Sequence, residues 1–353
     1  MTGHTGFKGS WLTFILNSFG AKVFGVSHSD FGAKSLYNQL GCKKEIVNGQ
    51  FGSVEFYDLD DLCDLKKVIK IFNPEVIFHL AAQPLVISSY QDPILTYKSN
   101  VLGTVNILEA ARLGENLRSI ISVTTDKVYK NIDQSYGYRE SDPLGANDPY
   151  STSKACADLV TQSYYTSFFQ KKSIGVSSVR SGNVIGGGDW SDHRLIPDIV
   201  RSINSKSNLV LRNADATRPW QHVLEPLSGY LMLAERMYAE PEKYSLPINF
   251  GPAASDTLSV REVVAKFLEV YGTTLTCEFP EVVFHEANYL SLDSTTARAV
   301  LNWEPVWDTN ESIKRTAEWY INHSKGRVTK EITTCQINDY KTLALKIRSK
   351  ENV

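Results

Sequence analysis

Two residues four positions apart, Tyr150 and Lys154, could form an acid–base pair. Asp148 can cap the N-terminus of a helix here and Pro149 suits its first position, so both side chains would lie on one face. A nearby ammonium favours the ionised phenol and lowers its pKa, which makes a tyrosine usable as a base. A tyrosine and a lysine at this spacing also arise often by chance, so the pair alone does not decide between the two interpretations.

The segment Thr125, Asp126 and Lys127 strengthens the catalytic interpretation. It follows a predicted strand, 119–124, and open α/β sheets place their sites at the carboxyl ends of their strands. A hydroxyl, an acid and an amine would arrive there together. The sequence therefore predicts a catalytic group of five residues: Thr125, Asp126, Lys127, Tyr150 and Lys154.

Strands and helices alternate along the first half of the chain. The helical spacing of Trp11, Ile15 and Phe19, followed by Gly20, predicts a first helix directly after a glycine-rich loop. The alternation that follows predicts an α/β fold with a Rossmann-like, doubly wound parallel sheet. The further predicted elements are the strands 21–26, 54–57, 76–80, 119–124 and 174–179 and the helices 61–72, 93–112 and 149–169.

The pattern becomes irregular beyond about residue 181. We expect residues 1–180 to form a dinucleotide-binding domain and residues 181–324 a smaller, mixed α/β part that binds the substrate. Residues 325–353 are rich in Lys and Arg without interleaved aromatic residues, which predicts a solvated tail. The helices predicted in the second part are 195–204, 225–239, 259–271 and 309–323.

The glycines at positions 3, 6 and 9 would let the backbone approach a pyrophosphate at the N-terminus of the first helix. The spacing is G-x-x-G-x-x-G rather than G-x-G-x-x-G, and three glycines near a terminus are often only a turn. The alternation that follows favours a dinucleotide, and Asp58, after strand 54–57, could accept from the adenine amino group. An acidic residue directly after strand 21–26 would select NAD by binding the ribose hydroxyls. Here Ser27, His28 and Ser29 come first and Asp30 follows them, and NAD is favoured over NADP.

Only Met1 and Thr2 precede this loop, where a dinucleotide site normally has a strand. That strand lies in the middle of a doubly wound sheet, and its loss would cost more than the ~5–15 kcal/mol by which a domain is stable. We therefore expect the first β-strand to be missing and the natural chain to start upstream. The 353 residues expressed alone should then be insoluble or bind no cofactor.

Composition indicates an ordinary globular protein of 353 residues, 42% of them hydrophobic, with a formal net charge of -2. This balance does not call for nucleic acid or an acidic membrane surface as a partner. Five scattered cysteines lack metal-ligand or disulfide spacing, which argues against a metal site and favours a reducing, cytoplasmic location. No apolar run approaches the ~20 residues of a membrane-spanning helix.

The sequence resembles the extended short-chain dehydrogenase/reductase family from Thr2 to about Tyr340. Within that family it is similar to the nucleotide-sugar 4,6-dehydratases, because an acid follows the threonine. Lys127 matches the type that acts on CDP-glucose, whereas the dTDP-glucose type carries Glu there. The resemblance rests on TGHTGFKGSWL (2–12), HLAAQPLV (79–86), TTDKVY (124–129), GYRESDPLG (137–145), DPYSTSKAC (148–156), GNVIGGGDW (182–190), RPWQHVLEPLSGY (218–230) and HEANYL (285–290).

The resemblance implies dehydration of CDP-glucose, with hydride lent from the sugar C4 to NAD and returned to C6. Tyr150, aided by Thr125 and Lys154, would take the C4 hydroxyl proton. A neutral Lys127 would remove the C5 proton and a protonated Asp126 would donate to the departing C6 hydroxyl. Both would need shifted pKa values, and an Asp–Lys proton exchange leaves no isolated buried charge.

The resemblance also implies the binding residues and a homodimer through the helices 93–112 and 149–169. Ile87 stands where the family commonly has a basic residue, which leaves the local substrate contacts open. For Arg194 a surface charge is an equal alternative, and His79 and His222 are expected in the core. Trp190 and Trp220 fit the sugar pocket or the core. The implied cofactor ligands are Gly3, Thr5, Gly6, Phe7, Lys8, Gly9, Asp58, Leu59, Leu80, Ala81, Ala82, Asn100, Val123, Tyr150 and Lys154, and the implied substrate ligands are Asn183, Arg194, Arg218 and Asn249.

Three other functions stay open at this point. A nucleotide-sugar 4-epimerase would use Thr, Tyr and Lys but needs no Asp126–Lys127 pair. Dehydration of dTDP-glucose would be favoured if Lys127 were dispensable. A non-catalytic dinucleotide-binding sensor or scaffold is conceivable because of the missing strand, although the intact Tyr150 and Lys154 speak against it.

Overall fold

A computed structural model describes residues 1–29, 32–42, 59–253, 256–280 and 289–351. The predicted strand 54–57 and Asp58 lie outside these residues. The helices are α1 (Phe7–Ser18), α2 (Leu36–Gln39), α3 (Leu62–Phe72), α4 (Val86–Gln91), α5 (Pro93–Tyr97), α6 (Gly103–Ala111), α7 (Pro149–Tyr164), α8 (Leu195–Ser205), α9 (Leu224–Ala239), α10 (Pro241–Tyr244), α11 (Val260–Tyr271), α12 (Thr295–Leu301), α13 (Thr309–Ser324) and α14 (Thr329–Glu351).

Within the described residues, the central sheet has four parallel strands in the order β1 (Val76–His79), β2 (Ser119–Val123), β3 (Gly175–Ser181) and β8 (Ile248–Phe250). All residues of β2, β3 and β8 are buried, as expected for strands covered on both faces. The predicted doubly wound α/β fold is confirmed. The part of the chain that the structure describes also contains short strands of two residues each: β4 (Val184–Ile185), β5 (Leu209–Val210), β6 (Thr217–Arg218), β7 (Gln221–His222), β9 (Leu258–Ser259) and β10 (Cys277–Glu278).

The register of the sheet brings the carboxyl ends of its strands to one edge. His79 of β1 pairs with Ser122 of β2, and Val123 pairs with Val179 of β3. In β3, Ser181 pairs with Phe250 of β8. The loops that follow these residues therefore open on the same side of the sheet, where open α/β folds bind their ligands.

Thr2 lies between Val26 and His79 and forms a parallel bridge with each. This is the mid-sheet place predicted for the backbone that leads into the glycine loop. The predicted strand 21–26 is wrong in extent, because only Val26 within it takes part in a bridge. Segment 21–26 lies beside Met1 and Thr2. These two residues reach only the end of the segment, where Val26 N donates to the Met1 carbonyl at 2.8 Å.

The helices that carry or support the site begin and end near their predicted bounds. Asp148 caps α7 and its side chain accepts from Ser151 N, with Pro149 at the first position as predicted. The predicted helix 149–169 continues past Tyr164 as a π-helical turn. The predicted helix 93–112 is similarly divided, because a π-helical turn, Lys98–Leu102, joins α5 to α6.

The second part of the chain is not separate from the sheet, since it contributes strand β8. The prediction of a solvated tail is wrong, because residues 329–351 form helix α14, which packs on α13. Ile332, Gln336 and Tyr340 recur at helical spacing and are buried, although charged residues surround them in the sequence. The surrounding Lys and Arg residues concealed that stripe. None of the helices in the described part of the chain is long and apolar enough to span a bilayer.

Candidate active site

Thr125, Asp126 and Lys127 lie directly after β2, as predicted, where the chain turns through the short 3-10 helix Asp126–Val128. Thr125 is the extended residue before this turn, and its hydroxyl accepts from Lys127 N at 3.4 Å. The same hydroxyl donates to Asp126 Oδ1 at 2.9 Å. The turn therefore presents hydroxyl, carboxyl and amine side chains together at the edge of the sheet.

The surroundings of Asp126 favour the protonated form of its carboxyl group. Its side chain is buried, and Oδ2 has no hydrogen-bond partner among the described residues. Burial raises the pKa of this carboxyl, against the opposing effects of Lys127, Thr125 and Arg218. A carboxylic acid of this kind can donate a proton to a leaving group, which is the role that the sequence predicts.

Tyr150 and Lys154 lie one turn apart on α7 and are both buried. The ammonium of Lys154 donates to the Val123 carbonyl at 2.7 Å, and burial lowers its pKa to about 8. Burial raises the pKa of Tyr150 to about 12, although its hydrogen bond with Thr125 works in the opposite direction. The sequence predicts a lowered phenol pKa. In the structure, the effect of burial on this pKa outweighs that of the Thr125 hydroxyl, and the Lys154 ammonium is bonded to a main-chain carbonyl.

The glycine loop fits a dinucleotide. Gly3 has a φ of +67°, and a Cβ there would lie 2.6 Å from Ala81 N. A Cβ on Gly9 would overlap the Gly3 carbonyl, so larger residues would open the tight turn. Helix α1 begins after Gly6 without a side-chain cap, and its first turn carries no acidic residue. Its free N-terminus is suited to an anionic pyrophosphate.

The predicted cofactor residues around this loop meet at the same edge of the sheet. Thr5 Oγ1 bonds Ser27 Oγ at 2.6 Å, which ties the loop to the end of the neighbouring segment. Asn100 accepts from Gln83 N at 2.7 Å and thereby fixes the chain that follows Leu80, Ala81 and Ala82. Phe7 begins α1, Leu59 is partly buried and Val123 ends β2.

Lys8 points away from the loop and into the site. Its ammonium donates to Ser181 Oγ at the end of β3 at 2.9 Å. Burial, with Arg194 and Lys154 as nearby cations, lowers its pKa to about 7, while Asp126 has the opposite effect. A second ammonium therefore shares the region of Asp126 and Lys154.

Lys127 and Arg218, the latter predicted as a substrate ligand, line the same pocket. Arg218 is buried, lies close enough to act on the pKa of Asp126, and donates to the Thr217 carbonyl at 3.0 Å. Its position at the pocket suits an anionic group of a substrate. The other residues that line this pocket are Val86, Tyr129, Asn131, Asp133, Ala146, Asn147, Asp148, Ser151 and Leu290.

The other predicted substrate residues differ in how open they are. Arg194 is about one third exposed and pairs with Asp189 at 3.1 Å. Asn183 is half-buried in the loop after β3, where its carbonyl accepts from Gln221 N at 3.1 Å. Asn249 is fully buried, and its amide bonds protein groups at both ends, so its side chain is turned into the protein rather than to the pocket.

Of the two histidines and two tryptophans considered for the site, three are buried and Trp190 is half-buried. His79 and His222 are buried in the core, as predicted, and burial lowers the pKa of each to about 3. Trp220 is also buried and donates to the Leu258 carbonyl at 3.0 Å. Trp190 is half-buried and packs edge-on against Tyr320.

The sequence did not reveal Asp158, Arg180 and Tyr129, which form a buried hydrogen-bond network. The network lies next to residues 125–128, which we call the catalytic turn. Two signals were present in the sequence. Asp158 lies one further turn along the predicted helix from Lys154, on the same face, and Arg180 directly follows an apolar strand. A charge at each place predicts a buried partner.

A parallel sheet, a glycine loop before α1 and a Thr, Tyr and Lys at the carboxyl edge together define an extended short-chain dehydrogenase/reductase. The chain belongs to the GDP-mannose 4,6 dehydratase family, whose profile matches residues 1–316. The predicted family membership is thus confirmed.

Several curated relatives and solved structures are similar to this chain. It is 41% identical to a CDP-glucose 4,6-dehydratase of Salmonella typhimurium, over 96% of this chain and 95% of the relative. It is 28% identical to a dTDP-glucose 4,6-dehydratase of Streptomyces griseus, over 76% and 78% of the two chains. The solved UDP-glucuronic acid 4-epimerase of Bacillus cereus, with UDP-glucuronic acid and NAD, matches with a TM-score of 0.77 at 21% identity, over 92% and 98% of the two chains.

Proposed function

We propose that this chain dehydrates CDP-glucose to CDP-4-keto-6-deoxyglucose with NAD as its cofactor. The observation that carries this proposal is Asp126, a buried carboxyl with a raised pKa beside Thr125 and Lys127. An epimerase needs the hydroxyl, phenol and lysine but has no water to expel, so it has no use for such an acid. The 41% identity to a CDP-glucose 4,6-dehydratase supports the nucleotide.

Each residue of the site has a place in this reaction. Tyr150, bonded to Thr125, would take the proton of the C4 hydroxyl. Lys154, one turn along the same helix, would lower the cost of the resulting phenolate through its positive charge. NAD, when bound, would supply the hydride acceptor and return the hydride. Lys127 would remove the C5 proton and Asp126 would protonate the leaving C6 hydroxyl. Arg218, and with it Arg194 and Asn183, would hold the diphosphate and sugar.

The cofactor would lie along the glycine loop and the ends of β1 and β2. Gly3, Gly6 and Gly9 would admit its pyrophosphate to the free N-terminus of α1. Of the nicotinamide cofactors we propose NAD rather than NADP, since Ser27, His28 and Ser29 supply no cation for a 2′-phosphate beyond a histidine.

The proposal is tested by incubating the purified protein with CDP-glucose and NAD and following the 4-keto product by its absorbance in alkali. We expect that product with CDP-glucose and much less with dTDP-glucose. CDP-galactose as the product would instead identify an epimerase, and cofactor binding with unchanged CDP-glucose would identify a sensor or scaffold. A Lys127→Glu variant that kept full activity on CDP-glucose would contradict the role given to Lys127.

We also propose that the protein works as a cytoplasmic homodimer through α5, α6 and α7. Ile94 and Leu95 on α5 and Leu102 directly before α6 are at least half exposed. Leu159 is 54% exposed on α7, which packs against α5. Exposed apolar side chains on helices that pack together favour association with a second copy. Sedimentation should give a dimer for the parent protein and a monomer for Leu159→Glu, whereas a monomeric parent protein would refute the proposal.

A further inference from the structure

The carboxylate of Asp158 is saturated with hydrogen bonds. Arg180 binds it with two parallel bonds, from Nε to Oδ2 and from Nη2 to Oδ1, both at 2.8 Å. The hydroxyls of Thr124 and Ser178 donate to it at 3.1 and 2.9 Å, and Gln162 donates at 2.7 Å. Asp158 therefore joins α7 to the ends of both β2 and β3 by bonds to charged and neutral donors.

Arg180 extends this junction to the far side of the catalytic turn. Its Nη1 donates to the Tyr129 hydroxyl at 2.8 Å, and that hydroxyl donates to Asn249 Oδ1 at 2.7 Å. Thr124 immediately precedes the segment 125–128 and Tyr129 immediately follows it. The network thus holds both ends of the catalytic turn and also holds the helix that carries Tyr150 and Lys154.

The same carboxylate acts on the charge of Lys154, which lies one turn before Asp158 on α7. Burial lowers the pKa of Lys154 and Asp158 raises it. Lys154 also lowers the pKa of Lys8 on α1 and of His79 on β1, and Tyr150 lies on the same helix. Burial keeps His79 neutral, and Lys8 carries no negative charge in either protonation state, so neither helps Lys154 to keep its proton. Asp158 does, because its carboxylate opposes the loss of the lysine proton.

We propose that Asp158 and Arg180 are positioning residues for the dehydration, because they fix the segment 124–129 against α7 and place an ionised carboxylate one turn from Lys154. This inference rests on the proposed function. A buried ion pair can also serve the fold alone, in which case an apolar pair of similar size would replace it without effect on the chemistry. The two roles are therefore separable by experiment.

The main variant is the double substitution Asp158→Leu with Arg180→Met, which leaves no unpaired buried charge. We expect kcat to fall about 100-fold with little change in KM, since misplacement of reacting groups by about 1 Å has that effect. The alkaline limb of the kcat profile should move to lower pH, because Lys154 loses the carboxylate that retains its proton. Tyr129→Phe keeps the ion pair, so it should reduce kcat less and leave the alkaline limb in place.

Glu225→Gln is the matched control. Glu225 is a fully buried carboxyl group that accepts from Val306 N, Trp307 N and the Tyr340 hydroxyl, and none of these three residues belongs to the predicted site. This variant should leave the kcat profile unchanged. Hydrogen exchange followed by mass spectrometry should show faster exchange of the segment 124–129 in the double variant and in Tyr129→Phe, but not in Glu225→Gln.

The inference is overturned if the folded double variant keeps its kcat and its alkaline limb, or if exchange of the segment 124–129 stays as slow as in the parent protein. A failure of the proposed function has a different signature, because the parent protein would then form no 4-keto product at any pH. In that event the exchange measurements still decide whether Asp158 and Arg180 hold the turn.

Discussion

Asp126 and Asp158 are both buried next to the carboxyl end of β2, but their surroundings differ in the number of donors. Asp158 receives five hydrogen bonds, two of them from Arg180, and these donors hold the pKa of its carboxyl below the usual range. Asp126 receives one from Thr125 within the described part of the chain, and burial raises its pKa. Burial alone therefore does not decide the protonation of a carboxyl; the donors around it do.

This difference separates the work of the two side chains. A carboxyl that keeps its proton can give it to a leaving group, whereas a carboxylate that is ionised and fully bonded can only hold its partners in place. The surroundings of Asp126 destabilise the fold but allow a proton transfer, whereas those of Asp158 stabilise the elements around it. Substitutions at both positions should consequently lower activity, but they should have opposite effects on stability.

The largest effect is expected for Asp126→Asn. An amide of nearly the same shape cannot donate the proton that the leaving hydroxyl needs, so we expect product formation to fall by about 10²- to 10⁴-fold. Steady-state formation of the 4-keto product measures this loss, and cofactor binding by the variant serves as the control. If the variant retained at least half of the parent activity, Asp126 would not be the acid that protonates the leaving hydroxyl.

The next largest effect is expected for Asp158→Ala, which leaves Arg180 buried without its partner. The free energy of unfolding should fall by about 3–5 kcal/mol, as measured by urea denaturation. Asp215→Ala is the matched control, because Asp215 is 84% exposed in its pair with Arg261 and such pairs contribute less than about 1 kcal/mol. Equal losses in the two variants would show that the Asp158 network does not stabilise the fold.

The sequence alone predicts one of these two aspartates and not the other. Asp126 was found because a polar triplet after an apolar strand marks the carboxyl edge of a sheet, which is a local pattern. Asp158 binds Thr124, Ser178 and Arg180, residues that the chain brings together only when β2, β3 and α7 have packed. The same reason explains the misjudged C-terminal segment, since Tyr340 is buried through contacts with Glu225, 115 residues earlier.

A smaller effect of opposite sign is expected for the stability of Asp126→Asn at neutral pH. The folded protein raises the pKa of Asp126, so this carboxyl stabilises the fold below its unfolded pKa of about 4, and that contribution is lost as the pH rises through the folded value. The variant should therefore be more stable than the parent protein at pH 7, by about 0.5–2 kcal/mol.

Thermal unfolding across pH 3–8 tests the sign. The advantage of Asp126→Asn should shrink towards acidic pH, where the parent carboxyl is protonated anyway. Asp158→Asn should behave in the reverse manner, because its pKa is lowered and its contribution is lost as the pH falls through the folded value. The same pH dependence for both variants would mean that their environments do not differ as described.

The smallest effect is expected for Thr124→Val, which removes one donor to Asp158 and keeps the side-chain shape. The lost bond, 3.1 Å from Thr124 Oγ1 to Asp158 Oδ2, should lower the free energy of unfolding by about 0.5–1.5 kcal/mol. Thr342→Val on the exposed face of α14 provides the control, since its hydroxyl donates to the Asn338 carbonyl of the same helix. Because the other four bonds to Asp158 remain, Thr124→Val should also lower kcat less than the double substitution at Asp158 and Arg180. A loss of kcat as large as in that double variant would move the positioning role from the ion pair to the Thr124 hydroxyl itself.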